Sequence, residues 1–362
     1  MTDTKIKILS TLGPSSFSKA IVKKLDSAGV DIFRINLSHT KLEDFKNLVE
    51  LIQSWTNKPI CIDTEGAQLR TGKMQNGSIV VEAHSVINFV NQNLIGDKTN
   101  IPIYPLNPAK IFKIGDLVHI DFDLVIVQVT EIKKNIVTAR VLCGGVIGSN
   151  KGISVDRIIN LPPLTKKDLA VIKIATKMNL QCIALSFASD KKSVEGLRKL
   201  FPYPVTVISK IESRSALNNL ESILEASDAI LIDRGDLSRD IAIQKIGLAQ
   251  KYILETGKKF NTPVYVATNL LETMIETRKP TRAEINDITN TLLLGASGLV
   301  LAAETAIGKY PIEAARMIAG IIKETQKYLN LDNPSLIFSD IPQDTQLIEP
   351  HGGVLIQKFA DQ

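Results

Sequence analysis

Lys210 and Glu212 close residues 205–212, VTVISKIE, in which Val205, Val207 and Ile208 are the β-branched apolar residues of a buried strand. Packing does not call for two charges at the end of such a strand. They stand two positions apart, so they point to one side of it. A lysine can neutralise a phosphoryl group in transfer, and a carboxylate can hold a divalent metal. A salt-bridged strand end is the purely structural alternative.

The elements around this strand weigh between the two. Strand-like runs alternate with helix-like ones: KIKILS, a helix over 17–28, DIFRINLS, a helix over 41–56, then PICIDT. The rhythm stops at Gly72. From there to about Asp156 come alternating runs such as SIVVEA and DLVHIDFDLVIVQVTE, separated by Asn-Gly, Gly-Asp and Gly-Gly. These read as a small antiparallel β domain carried as an insertion. After Pro162-Pro163 the βα rhythm resumes with a helix over 166–178, QCIALSF, a helix near 194–200 and VTVISK. It continues with a helix over 216–226, DAILID, a helix over 240–256, TPVYVAT, a helix over 281–294, SGLVLAA and a last helix over 312–329. Eight βα units predict a closed (β/α)₈ TIM barrel, with an open doubly wound sheet as runner-up. The expected division is a barrel of 1–71 and 157–331, an inserted β domain of 72–156, and an irregular tail of 332–362.

In a parallel barrel the carboxyl ends of the strands share one rim. That rim would collect Arg34, Asn36, Ser38 and His39; Asp63, Thr64 and Arg70; Lys210 and Glu212; Arg234, Gly235 and Asp236; Thr268 and Asn269; and Glu304. Buried charge is costly unless paired or metal-bound, so this many charges on one rim point to chemistry. Glu212 and Asp236 are hard oxygen ligands suited to Mg²⁺. Asn36, Ser38, Asp63 and Thr64 offer oxygens that suit a monovalent cation. Arg34 and Lys210 can spread over a phosphoryl group. Gly235 lets the backbone approach a ligand, and the following helix N-terminus offers N–H groups to an anion.

Composition sets the outer bounds. The chain is 362 residues long, 44% hydrophobic and +5 in formal charge, with no basic run to suggest nucleic acid. Cys61, Cys143 and Cys182 are isolated, so buried free thiols at 61 and 182 are expected and a zinc site is not. No signal core or long apolar stretch occurs, so the expectation is a cytoplasmic protein without membrane contact.

FRINLSHT, IDTEGAQLRTG, VISKIESRSAL, LEASDAILIDRGDL, VATNLLETM, KPTRAEINDITN and AAETAIGKYPIEA resemble the successive signatures of the pyruvate kinases, in that family's order, from about Thr4 to Lys323. The insert, with IGDLVHIDFDL and SNKGISV, resembles their lid domain. The resemblance implies phosphoryl transfer between phosphoenolpyruvate and ADP, giving pyruvate and ATP. It implies Lys210, Arg34 and Thr268 as catalytic, Glu212 and Asp236 as Mg²⁺ ligands, and Asn36, Ser38, Asp63 and Thr64 as K⁺ ligands. Arg34, Lys210, Thr268 and the amides of Gly235 and Asp236 would bind substrate, and His39 and Arg70 would approach the nucleotide. The family's carboxyl-terminal domain, with its tetramer contacts, is expected to be absent, leaving the barrel to make any homo-oligomer.

Several positions depart from the family pattern. Glu65 stands for a lysine, and Ala67 and Gln68 for the following proline and glutamate. Phe122 and Asp123 alter the lid. Asp233 stands for a small residue before Arg-Gly-Asp, Ser238 for the glycine after it, Asn269 for glutamine, and Ala302-Ala303 for Ser-Gly. The phosphoryl and metal centre is thus kept, while the nucleotide side is altered and the K⁺ requirement is open. The alternatives are a related barrel acting on another enol phosphate or 2-oxo acid without ADP, and a non-catalytic regulatory homologue. IEPHGGVL, residues 348–355, resembles the opening of sulfate adenylyltransferases, which would link the chain to sulfate activation.

Overall fold

The protein is described here from a computed structural model, covering residues 5–66, 68–91, 93–121, 124–159, 161–331 and 337. Ala67, Phe122, Asp123 and the 348–355 motif lie outside the described residues.

Eight parallel strands close on themselves. They are β1 (Lys7–Thr11), β2 (Ile32–Asn36), β3 (Ile60–Asp63), β4 (Cys182–Leu185), β5 (Thr206–Ile211), β6 (Ala229–Asp233), β7 (Val264–Ala267) and β8 (Gly298–Leu301). Around the barrel each pairs with its neighbour in chain order, and β8 returns to β1. The fold is the TIM barrel that the βα count predicts, and not the open sheet.

Alternation decides which side chains enter the barrel. Leu9, Ile32, Cys61, Cys182, Ile208, Leu231, Tyr265 and Val300 fill its interior. Their neighbours, among them Phe33, Ile62, Val207, Ile230 and Val266, face the surrounding helices in one continuous apolar layer. Each such buried side chain contributes roughly 1.5–3 kcal/mol, which fixes the register of every strand. Cys61 and Cys182 are free, buried and opposite each other in the ladder, as expected.

Moving along the same inward rows, the interior changes from apolar to charged. Ile32 is followed by Arg34, Cys61 by Asp63, Ile208 by Lys210, and Leu231 by Asp233. Layering is therefore what delivers the charges to one end.

Two helices differ from expectation. The segment expected as one helix over 216–226 breaks at Asn219 into Arg214–Asn218 and Leu220–Ala226, because the Asn219 amide donates to Ser189 O at 2.9 Å. The helix expected from Asp240 starts at Ile246, after a 3₁₀ turn at Ile243–Lys245. Asp240 is pinned instead by the Arg214 backbone N–H at 2.5 Å and by its guanidinium at 2.8 Å.

The insert has its own apolar core, built from residues such as Ile87, Phe89, Ile101, Val127 and Ala139. Its main sheet has seven strands, and Ser78–Val81 pairs separately with Gly145–Gly148. One pair, Val86–Asn91 with Asn100–Tyr104, is parallel and not antiparallel. Alternation reports which way side chains face and is blind to strand direction. Arg70–Thr71 pairs with Asn100–Tyr104 in this sheet.

Candidate active site

Arg34 and Lys210, each about 5% exposed, enter the charged end of the barrel from β2 and β5. Arg34 donates through Nε to Asp63 Oδ2 at 2.8 Å and through Nη2 to the same oxygen, and Nη1 reaches Thr11 Oγ1 at 2.9 Å. The Lys210 ammonium stands 2.7 Å from Glu212 Oε1, and 3.4 Å from both Asp63 Oδ2 and Asp233 Oδ2. Burial alone would lower its pKa, but Asp63, Glu212 and Asp233 raise it well above the ordinary lysine value. Lys210 is therefore a fixed cation, not a proton donor at neutral pH. Asp63 binds both cations and also accepts from Ser186 Oγ at 3.2 Å, so it is the strut that aims them.

Glu212 is wholly buried. The Phe187 backbone N–H donates to its Oε2 at 2.6 Å, while its Oε1 takes no hydrogen bond. Burial, reinforced by Asp236, Asp233 and Asp63, raises this carboxyl to about 8 against the pull of Lys210. A divalent cation would relieve that penalty. Glu212, Asp233 and Asp236 bring carboxylate oxygens within 4.8 Å of one another; with Asp233 held by the Thr268 hydroxyl and by Lys210, Glu212 and Asp236 are the pair that fits Mg²⁺.

Gly235 and Asp236 lie in a one-turn helix, Arg234–Leu237, directly after β6. A Cβ at Gly235 would stand 2.9 Å from Thr268 Cγ2, so only glycine lets this turn rest against Thr268. Thr268 and Asn269 both have positive φ, +76° and +55°. For a β-branched residue this is a strained conformation. It is held by Arg234, whose Nε and Nη2 donate to Thr268 O at 3.2 and 2.5 Å, and by the Thr268 hydroxyl, which donates to Asp233 Oδ1 at 2.7 Å. Arg234 thus does not join the rim: its Nη1 pairs with Asp287 at 2.6 Å. Glu304 likewise serves the backbone, accepting from Leu271 N at 3.2 Å and Ala302 N at 2.8 Å.

The residues read as monovalent-cation ligands lie at the ends of β2 and β3. Asn36 is half-buried and accepts from Ser38 N at 2.9 Å, Ser38 is exposed, and Thr64 Oγ1 accepts from Ser186 N at 2.9 Å. An ion there would share oxygens already used by the chain. His39 is exposed in the same turn as Ser38, Leu37–His39, and Lys167 donates to Leu37 O. Lys167 also faces Glu65 Oε1 at 3.9 Å. Asp168 holds the Glu65 and Gly66 amides at 2.8 and 3.1 Å. Arg70 donates to Asn150 O at 3.1 Å.

A cleft of about 440 Å³ opens beside the acids, with Glu212 and Asp236 among its walls, Arg157 and Lys192 as cations and Ile158 and Leu161 as apolar surface. Strand reading overlooked Asp233 as a member of the site. The signal was in the sequence: in AILID, Ala229, Leu231 and Asp233 share a face, so its carboxylate had to enter with Lys210.

A family model described as "Pyruvate kinase, barrel domain" matches residues 3–315. A pyruvate kinase of Thermococcus litoralis is 34% identical over 334 residues, covering 90% of this chain and 70% of that protein. Those of Thermotoga maritima and Clostridium acetobutylicum are each 33% identical, over 89% and 91% of this chain and 71% and 72% of their own lengths. With this match joined to a TIM barrel whose charged rim is centred on Lys210, the chain belongs to the pyruvate kinase family and is a pyruvate kinase-like phosphotransferase.

Proposed function

We propose that the chain transfers the phosphoryl group of phosphoenolpyruvate to ADP, giving pyruvate and ATP, with Mg²⁺ and K⁺ as cofactors. The observation that carries this is the buried Lys210 ammonium, fixed between Asp63, Glu212 and Asp233 beside Arg34. Two permanent cations fixed side by side at the charged end of the barrel suit a phosphoryl group and the enolate it leaves behind. Arg34 orients the phosphoryl oxygens, Lys210 stabilises the enolate oxygen, and Thr268 stands across the Asp233 carboxylate from Lys210. Glu212 and Asp236 would hold Mg²⁺, which neutralises phosphoryl charge when bound. Asn36, Ser38, Asp63 and Thr64 would hold K⁺, and His39 and Arg70 would meet the nucleotide phosphates.

A second reading keeps the enolate pocket and drops ADP: a 2-oxo acid or another enol phosphate would be the substrate. The Glu65 carboxylate on the nucleotide flank favours it. The test is lactate formation from phosphoenolpyruvate and ADP, coupled through lactate dehydrogenase, for the wild type and for Lys210→Met. ADP-dependent turnover by the wild type is expected, with a loss of about 10²–10³-fold or more in kcat and near-normal phosphoenolpyruvate binding in the variant. No turnover by the wild type would reject the proposal.

A further inference from the structure

Asp233 is the end of β6, and three donors of the site converge on its carboxylate. The Thr268 hydroxyl donates to Oδ1 at 2.7 Å, the Asp236 amide points to the same oxygen at 3.5 Å, and the Lys210 ammonium lies 3.4 Å from Oδ2. A hydroxyl, a helix-turn amide and an ammonium around one point are what a small carboxylate or phosphate ligand would use. Here the chain supplies that anion itself. All three partners are donors, so Asp233 is held ionised.

The charge count of the pocket moves with it. Asp63, Glu212 and Asp236 face Arg34, Lys210 and Arg239, with Arg239 paired to Asp236 at 2.9 Å. Asp233 adds a carboxylate to this group and brings no cation of its own, since it shares Lys210 with Asp63 and Glu212. A phosphoryl oxygen placed on Lys210 would then lie within a few ångströms of a second, fixed negative charge.

We propose that Asp233 is a specificity-determining residue that fills the anion seat of the pocket and selects ligands with fewer negative charges, favouring a 2-oxo carboxylate over its enol phosphate. This rests on the reading of the rim as an enolate pocket, and it concerns which side of the reaction the free site binds better. It makes Asp233 a brake on phosphoenolpyruvate binding, not a metal ligand.

Calorimetry tests this with the full chain, Mg²⁺ in excess, and phosphoenolpyruvate or oxalate as ligand, for the wild type, Asp233→Asn and Asp233→Ala. Asp233→Asn keeps the shape of the side chain and removes only its charge. Both variants should bind phosphoenolpyruvate about tenfold or more tightly than the wild type, with a smaller gain for oxalate, which carries less charge. A merely structural role would move both ligands alike or neither, and either result overturns the proposal. A joint loss of Mg²⁺ and phosphoenolpyruvate affinity would make Asp233 a metal ligand and also overturns it. A wild type that forms no lactate while the variants gain phosphoenolpyruvate affinity would reject ADP-dependent transfer and leave the role of Asp233 standing.

Discussion

At the scale of single residues, the side chains that matter fall into those whose direction the strand period dictates and those whose partners come from elsewhere in the chain. Lys210 and Asp233 belong to the first kind, since each lies on the same face as the apolar residues preceding it. The Arg34–Asp63 pair belongs to the second: β2 and β3 had to be adjacent before that contact could be known. The positive φ of Thr268 was not legible either, because a β-branched residue is the last choice for it and only the clamp by Arg234 maintains it. Glu65 lies between these cases. Its amide is fixed by Asp168, and its carboxylate partly neutralises Lys167, which would otherwise be free to meet an anion. Glu65→Lys replaces an attraction by a repulsion there and leaves two ammonium groups exposed to a ligand. ADP affinity measured by calorimetry should rise about tenfold, from a weak native value. Tight native binding that the substitution leaves unchanged would return the nucleotide side to an ordinary pyruvate kinase pattern.

At the scale of elements, sequence periodicity located all eight barrel strands, because each is a short apolar run bounded by turn residues. It misplaced boundaries where a side chain from another segment intervened, as the Arg214 guanidinium does by donating to Asp240 O. Caps are the more legible signal. Thr281 and Glu284 form a capping box at the head of the helix Arg282–Leu293, and the structure extends it: Glu284 also accepts from Thr273 N at 2.7 Å and Thr273 Oγ1 at 2.5 Å. One carboxylate thereby ties the loop after β7 to the following helix. Burial would raise its pKa, but these four donors lower it below the ordinary glutamate value. A depressed carboxylate gives stability that is present above the unfolded-state pKa and is lost as pH falls through the folded one. Glu284→Gln should cost about 1 kcal/mol at pH 7, and the difference from wild type should shrink below about pH 4.5. Denaturant unfolding of both proteins at a series of pH values reads this directly. A difference that is constant with pH would show that the hydrogen-bond geometry matters and the charge does not.

At the scale of the whole molecule, we propose two cooperative units, a barrel of 1–71 with 157–331 and an inserted domain of 72–156, joined at a neck of two adjacent strands. The apolar cores of barrel and insert are separate clusters, which supports the division. In the neck, Thr71 N donates to Lys151 O at 2.9 Å, Lys151 N to Thr71 Oγ1 at 2.8 Å, and Ile153 N to Leu69 O at 2.8 Å. The chain therefore leaves and re-enters the barrel at almost the same point. Replacing residues 73–150 by a short glycine-serine link would close only a small loop, at little cost in chain entropy. Every side chain holding Lys210, Arg34 and Glu212 would be kept, because all of them come from the barrel. The cleft walls at Ile153, Ser154 and Val155 would lose the insert strand Leu117–Ile120 that pairs with them. The shortened protein should unfold in one cooperative step and still bind Mg²⁺ with oxalate, while losing nearly all phosphoryl transfer to ADP, since water would enter a pocket open on one side. Thermal unfolding with and without these ligands, alongside the lactate-coupled assay, separates the two effects. If the barrel alone does not unfold cooperatively, the insert is part of its core stability and the division into two units is wrong. If it keeps full turnover, the insert does not close the site.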